Sequence, residues 1–383
     1  MNAITLIIAG ITALYALSSL LIFYGALRQR PQRISHQPFV SVLIAARNEE
    51  QRLPRCLHSL VRANYPSEKF EVIIIDDRSR DGTRQIAENF ARHHSQVKIV
   101  SIQHRLKNLS GKANALCQGL ARAGGEIILM TDADCQAPAN WIAQMVSYFT
   151  PEMGLVGGFT LLTQAGKKNS ILAKIQTLDW LYLLTIASGA AGLGKPVSII
   201  GNNFAFRRAA YDAIGGYEKI GVSIIEDFAL MRAIHKQTHW RIVFPFDPQL
   251  AMASAPTTSW REFFDQRQRW AAGGKEVGWL AKGLMAIAFF GHWACFMALF
   301  ISPKLAMSCF LVAVGVDFLL LWKSARRLER QDLLAIFPLF EIYYFLYGFF
   351  FAPTVLLPVT VRWKDRQYRW NFRGKINRVE ESV

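Results

Sequence analysis

Cysteine is scarce and unpatterned. The five residues Cys56, Cys117, Cys135, Cys295 and Cys309 are odd in number and contain no C-x-x-C pair. That spacing argues against both a disulfide framework and a cysteine zinc site. Acidic residues are in deficit, 28 against 44 Lys and Arg, giving a formal charge of +16. A basic excess admits nucleic acid as a partner, but no nucleic-acid motif accompanies it and aromatics are not interleaved with base-reading side chains. No Gly-x-Gly-x-x-Gly follows the first strand-like run, which argues against a dinucleotide-binding domain. Repeats and low-complexity tracts are absent. No basic segment precedes the first apolar run, as a cleaved secretion signal would require.

What the chain has in quantity is apolar length. Hydrophobic residues make up 52% of the 383, gathered into blocks: Ile4 to Ala26, Trp279 to Ile301, Leu305 to Trp322 and Leu333 to Val361. The first is uncharged and exceeds the ~20 residues that span a bilayer. Arg28, Arg30 and Arg33 follow it, which favours a retained anchor with its C-terminal side in the cytoplasm. The remaining basic clusters, Lys323 to Arg330 and Arg362 to Arg369, also flank apolar segments, where they bind anionic headgroups and set topology. The expected partner of the charge is therefore the membrane surface, not nucleic acid. The reading is a multi-pass integral protein of the cell (inner) membrane with its central span in the cytosol. A simple fourth crossing would put the basic tail outside, so the fourth block, with Pro338, Pro353 and Pro358, is expected to be a broken or re-entrant hairpin.

Between the first and second blocks, strands alternate with helices. Strand runs occupy Phe39 to Ala46, Glu71 to Ile75, Val97 to Ser101 and Glu126 to Thr131. Helical patterns fill Glu49 to Ala63, the stretch ending at His94, and Lys112 to Ala123. Alternation of this kind predicts βαβ units and a parallel sheet.

Acidic residues punctuate that pattern. Asp132 and Asp134 follow an apolar strand at its C-terminal end, the edge where open α/β sheets bind ligands. Two carboxylates one residue apart suit a hard cation, Mg²⁺ or Mn²⁺, together with phosphate oxygens; Asp is also common at turns. Asp76 and Asp77 close another strand, where a carboxylate either accepts from a base or ribose or makes an Asx-turn. For Asp81-Gly82 the turn is the preferred reading. Glu226 and Asp227 open a helix, which capping explains by itself, unless they face the metal site, where one would act as a general base. Gly111-Lys112 opens a helix, a place that attracts phosphate. Gln266, Arg269 and Trp270 lie on an amphipathic stretch from Thr258 to Trp279, read as an interfacial helix. His292, Asp317 and Glu341 sit inside apolar blocks, where they pair with each other, face a polar path or are solvated near an interface.

Together these segments resemble the membrane-bound family 2 glycosyltransferases. The resemblance covers roughly Phe39 to Trp270 and rests on the order of the motifs. Ala46-Arg47-Asn48-Glu49 is similar to the family's first nucleotide-contacting segment, and Asp76-Asp77 to its uridine-holding aspartates. Gly111-Lys112-Ala113-Asn114-Ala115-Leu116 matches its G-K-x-x-A-L segment. Asp132-Ala133-Asp134 matches the metal-binding D-x-D, Gly201 to Arg207 the acceptor-side strand, Glu226-Asp227 the E-D, and Gln266 to Trp270 the Q-x-x-R-W.

The resemblance implies an α/β GT-A fold, a Rossmann-like nucleotide-diphospho-sugar transferase, with N- and C-terminal transmembrane helices. The expected organisation is an anchor at 1–30, a cytosolic GT-A domain at 36–257, an interfacial segment at 258–278, a transmembrane region at 279–361 and a basic cytosolic tail at 362–383. Implied activity is inverting transfer of a hexosyl group from a nucleotide-diphosphate sugar, UDP by inheritance from the family. Ala46, Arg47, Glu49, Asp76, Asp77, Gly111, Lys112 and Asp132 would hold the donor, and Asp132 and Asp134 the Mg²⁺ or Mn²⁺. Asp227, with Glu226, would be catalytic. Gln266, Arg269 and Trp270 would clamp the acceptor or diphosphate. The expected acceptor is a membrane lipid, because few spans place the site against the bilayer. A processive polysaccharide synthase and a catalytically silent nucleotide-sugar-binding protein are the alternatives.

Overall fold

The structure is a computed structural model. It describes residues 3–29, 32–106, 109, 111–163, 170–223, 225–273, 277–351, 360–363, 366–370 and 376–381. Along the chain run α1 (Ala3–Arg28), β1 (Val40–Ala46), α2 (Leu53–Val61), β2 (Phe70–Asp76), α3 (Thr83–His93), β3 (Val97–Ser101), α4 (Gly111–Leu120), β4 (Ile127–Asp132) and β5 (Cys135–Gln136). Then come α5 (Trp141–Ser147), β6 (Met153–Gly157), β7 (Thr160–Leu162), α6 (Ile171–Gly192), β8 (Asn203–Arg207), α7 (Arg208–Ala213), α8 (Gly216–Ile220), α9 (Glu226–Gln237), β9 (Arg241–Val243) and β10 (Met252–Ser254). The chain ends with α10 (Trp260–Gly273), α11 (Trp279–Ala298), α12 (Pro303–Arg327), α13 (Phe337–Phe351), and strands β11 (Thr360–Trp363), β12 (Arg366–Trp370) and β13 (Ile376–Glu381). These elements form two compact units that interleave along the chain.

One unit comprises Leu27–Gly166 and Ala190–Ala255. Among the described residues, seven of its strands form one mixed sheet in the order β3-β2-β1-β4-β8-β6-β9. The β3-β2-β1-β4 half is parallel, as the βαβ alternation predicts, and β8 runs antiparallel to β4 and to β6. β2 is buried at every position, which is why it reads as an unbroken apolar run instead of an alternation. Helix α2 turns Leu53, Cys56, Leu57 and Leu60 to the core, the three-and-four spacing of a one-sided helix. It begins four residues later than the helical pattern suggests, because Asn48 is left-handed at φ 55° and the chain must turn before it can coil. On α4, a Cβ at Gly119 would lie 2.6 Å from Ile75 Cγ1, so glycine allows that helix to seat on β2. A small sheet, β5-β10-β7, caps this unit.

The other unit comprises Met1–Ala26, Lys167–Gly189 and Pro256–Val383. Four candidate spans lie here, at Ala3–Arg28, Trp279–Ala298, Pro303–Arg327 and Gln331–Phe350, each apolar and long enough to cross a bilayer. Leu6, Leu14, Phe290, Phe310 and Phe350 stand exposed on them, as lipid-facing side chains do. A 3₁₀ turn over Gln331–Ile336 leads into α13, whose second residue is Pro338; Pro353 and Pro358, the other two prolines behind the expected re-entrant hairpin, lie outside the described residues. Helix α6, largely in this unit, goes unremarked in the sequence reading. It is apolar but carries Gln176 and Asp179, both fully buried. β11, β12 and β13 form an antiparallel sheet that begins at Thr360, two residues before the expected start of the basic tail.

Candidate functional site

Strand register gathers the acidic motifs. Ala46 pairs with Asp76, and Ala45 with Asp132, so three parallel strands end level with one another. Side chains at that edge meet the ligand-binding side of an open sheet.

The loops after β1 and β2 lock each other. The amide of Asn48 donates to Ser79 Oγ at 3.1 Å, Arg80 N to Asn48 Oδ1 at 2.9 Å, and Gly82 N to Glu50 Oε2 at 2.7 Å. Glu49 N donates to Thr83 Oγ1 at 2.7 Å. Asp81 Oδ1 accepts from Thr83 N at 3.0 Å, the Asx-turn expected for Asp81-Gly82. Asp76 Oδ1 accepts from Ser79 N at 3.1 Å, and Asp77 Oδ1 lies 3.3 Å from Arg78 Nε. Asp76 and Asp77 are both buried. Arg47 reaches the Asp77 carbonyl at 3.5 Å.

Lys112 is the hub of the second cluster. Gly111, left-handed at φ 56°, starts α4, and the next residue sends its ammonium to Asp132 Oδ1 at 2.6 Å and to Glu226 Oε1 at 3.2 Å. Burial opposes that cation, but Asp132 first and Glu226 second outweigh it and hold Lys112 charged. Glu226 and Asp227 occupy the first turn of α9. Burial, then the charge of Glu226, pushes the Asp227 carboxyl up to about 7, with Lys112 pulling the other way. Phe228 N donates to Asp227 Oδ1 at 2.8 Å. Gly201 faces the other oxygen: a Cβ there would stand 2.6 Å from Asp227 Oδ2. Asp134 is likewise raised, by burial and then by Asp132 and Glu49.

The donor set at Asp132 and Asp134 is hard oxygen, with Glu49 close enough to add to the field, so it fits Mg²⁺ or Mn²⁺. Thiols flank it. Cys135 donates to Asp134 Oδ1, and Cys56 to the Asp132 carbonyl, each at 3.5 Å. Burial raises both thiols, so they remain neutral donors.

Asn203 turns out to be structural. It is fully buried, donates to the carbonyls of Phe159 at 2.6 Å and Leu250 at 2.8 Å, and accepts from Trp141 Nε1 at 2.9 Å. Paired with Thr131 across β4 and β8, it anchors the Gly201 turn beside the acidic cluster. Tyr217 was not foreseen: it is buried, its phenol oxygen has no hydrogen-bond partner, and it lies in the field of Glu226 and Asp227. The left-handed Gly215-Gly216 pair just before it is the available sequence signal.

Gln266 and Trp270 belong to the unit that contains the four apolar helices. Gln266 Oε1 is buried without a hydrogen bond. Trp270 packs on Trp180 with ring centroids 5.4 Å apart, and Arg267 stacks over its ring at 4.3 Å. Arg267, passed over in the sequence reading, is fully buried and pairs with Asp179 at 2.5 Å. The Arg269 side chain lies outside the described residues.

These features define a nucleotide-sugar-transferase fold of the GT-A type. A mannosyltransferase from Pyrobaculum calidifontis, solved with GDP-mannose and Mn²⁺, shares it with a TM-score of 0.57 and 19% identity, over 92% of this chain and 97% of that one. Residues 41–215 match the family described as Glycosyl transferase family 2; the chain carries a family 2 glycosyltransferase domain. A β-monoglucosyldiacylglycerol synthase of Nostoc sp. is 30% identical over 272 residues, 70% of this chain and 56% of that protein. A poly-β-1,6-N-acetyl-D-glucosamine synthase of Staphylococcus epidermidis is 29% identical over 268 residues, 67% and 61% respectively. The matched region thus spans little more than half the length of these relatives.

Proposed function

We propose that the protein is an inverting, membrane-bound glycosyltransferase that moves a hexosyl group from a nucleotide-diphosphate sugar, a UDP-sugar by family expectation, to a membrane lipid. The observation that carries the reading is the buried cluster of Asp132, Lys112, Glu226 and Asp227 at the end of the parallel strands, with Asp227 raised toward neutrality and Gly201 pressed against it. A carboxylate with an affinity for protons near 7 suits general-base work at physiological pH.

Asp227 takes the proton from the acceptor hydroxyl. The acceptor oxygen bonds the anomeric carbon from the face opposite the leaving group, the carbon–oxygen bond to phosphate breaks, and the nucleoside diphosphate departs with the electron pair. Lys112 holds Asp132 and Glu226 in place and adds positive charge on the leaving side. Asp76, Asp77, Arg47 and Glu49 seat the nucleoside. Asp132 and Asp134 would hold a divalent cation, Mg²⁺ or Mn²⁺, which would supply charge to neutralise the diphosphate. The relative solved with Mn²⁺ and the oxygen-only donor set support that cation.

The lipid acceptor draws support from the four apolar helices and from a relative named for a glycolipid product. Exposed Trp260 and Phe264 on α10 suit a helix lying in the interface. We place the domain on the cytosolic face of the cell membrane by the basic residues that follow α1. A processive polysaccharide synthase is the second reading, favoured by the poly-N-acetylglucosamine synthase similarity. Membranes carrying the protein, incubated with a panel of nucleotide sugars and analysed by mass spectrometry, separate the two. A discrete glycolipid, absent with Asp227→Asn, is expected; a ladder of long glycans would move the assignment to the second reading.

A further inference from the structure

Apolar spanning helices carry ionisable residues only where something compensates them. Here α11, α12 and α13 contribute His292, Asp317 and Glu341, one from each helix, and the fold brings them together. One side-chain ligand atom from each lies within 4.8 Å of the other two. Asp317 is fully buried. Its Oδ1 accepts from Tyr182 at 2.6 Å and from Tyr15, so α1 and α6 hold the carboxylate from behind. The second oxygen, Oδ2, is buried without a hydrogen bond, as are His292 Nε2 and Glu341 Oε1.

The imidazole carries the most information. His292 Nδ1 sits 2.8 Å from the Ala288 carbonyl, which has no proton to give, so Nδ1 bears the hydrogen. Nε2 points inward, 3.3 Å from Asp317 Oδ2 without forming an aligned hydrogen bond. Tyr15 and Tyr344 pack edge-on against the ring, with centroids 5.2 and 5.1 Å away, and fix its plane. Glycine at 291 makes the approach of Tyr15 possible, since a Cβ there would lie 2.7 Å from Tyr15 Cγ. Oriented imidazole, a carboxylate steadied by hydroxyl donors, and inward atoms without an aligned hydrogen bond are the marks of a metal site with its supporting shell.

We propose that His292, Asp317 and Glu341 bind one divalent transition-metal ion, of the Zn²⁺ class, that ties α11, α12 and α13 together. Two carboxylates and a neutral imidazole carry the charge that a divalent ion cancels, which removes the penalty of leaving them ionised among apolar helices. One nitrogen with two oxygens selects against Mg²⁺ and Ca²⁺, which take oxygen alone. Bonds of about 2.0–2.2 Å in tetrahedral geometry set ligand atoms roughly 3.3–3.6 Å apart; His292 Nε2 and Asp317 Oδ2 are already 3.3 Å apart, and the other separations, up to 4.8 Å, shorten on binding. The site leaves a coordination position open. It uses none of the residues assigned to sugar transfer, so it stands or falls separately from that reading.

The test is metal content of the full chain, purified in detergent, charged with Zn²⁺ and dialysed against a weak chelator. Wild type is expected to retain about one equivalent of zinc, and Asp134→Asn the same. His292→Gln and Glu341→Gln should each lower retention at least about tenfold. Cobalt loaded into wild type should give visible d–d bands without sulfur-to-cobalt charge transfer, an outcome that does not depend on any variant folding. No retained zinc in wild type, or equal retention in His292→Gln and Glu341→Gln, would overturn the proposal and leave a proton-sharing His–Asp–Glu cluster in its place.

Discussion

At the scale of single residues, the chemistry rests on where protons sit. Asp227 moves from an ordinary 3.8 up to about 7 because it is buried beside Glu226. A base must be deprotonated to act, so kcat/KM should fall roughly tenfold per pH unit below about 7, measured with donor and metal saturating. A flat profile from pH 5 to 8 would remove Asp227 from the base role. The same shift affects stability in the opposite sense. The folded carboxyl keeps a proton that the unfolded chain releases above about 4, so this contribution is present below pH 4 and is lost as pH rises through 7. Asp134→Ala should abolish divalent-dependent donor binding, read by calorimetry with and without Mn²⁺; unchanged metal dependence would take Asp134 out of the site. The consecutive motifs were legible because Asp132-Ala133-Asp134 and Glu226-Asp227 carry their chemistry within three residues of chain. Gly201 was picked out only as part of the acceptor-side strand and Tyr217 not at all, because the approach of Gly201 to Asp227 and the place of Tyr217 in the field of Glu226 and Asp227 are encoded by no local pattern.

At the scale of elements, the first half of the sheet could be read from periodicity, since β1, β2 and β4 are buried apolar runs separated by one-sided helices. The short strands could not: β6 and β9 of that sheet, and β7 and β10 of the small one, are three to five residues long, too short for alternation to stand out from loop. Their cohesion comes from side chains such as Asn203, which ties β8 to the carbonyls of Phe159 and Leu250 and to Trp141. Removing it orphans buried groups. Asn203→Ala should therefore destabilise the protein by about 2–3 kcal/mol, seen as a lower melting temperature in detergent, whereas a surface change such as Glu88→Gln should leave it unmoved.

At the scale of the whole molecule, two units interleave along one chain. That interleaving hid from a linear reading that Lys167–Gly189 groups with the apolar helices, and that Arg267, inside the Gln266 to Trp270 motif, is spent on a buried pair with Asp179. The amphipathic helix α10 exposes Trp260 and Phe264, which suits insertion among lipid headgroups. Trp260→Glu combined with Phe264→Glu should reduce transfer to a vesicle-embedded lipid about tenfold, a loss of ~1.4 kcal/mol, while leaving donor affinity intact. Equal rates on vesicles would detach α10 from acceptor access. The most direct test of the central claim is a side-by-side measurement of donor binding and turnover for Asp227→Asn. The expected result is wild-type affinity for the nucleotide sugar with turnover reduced by at least about a hundredfold; turnover near the wild-type rate, or donor binding lost together with activity, would contradict it.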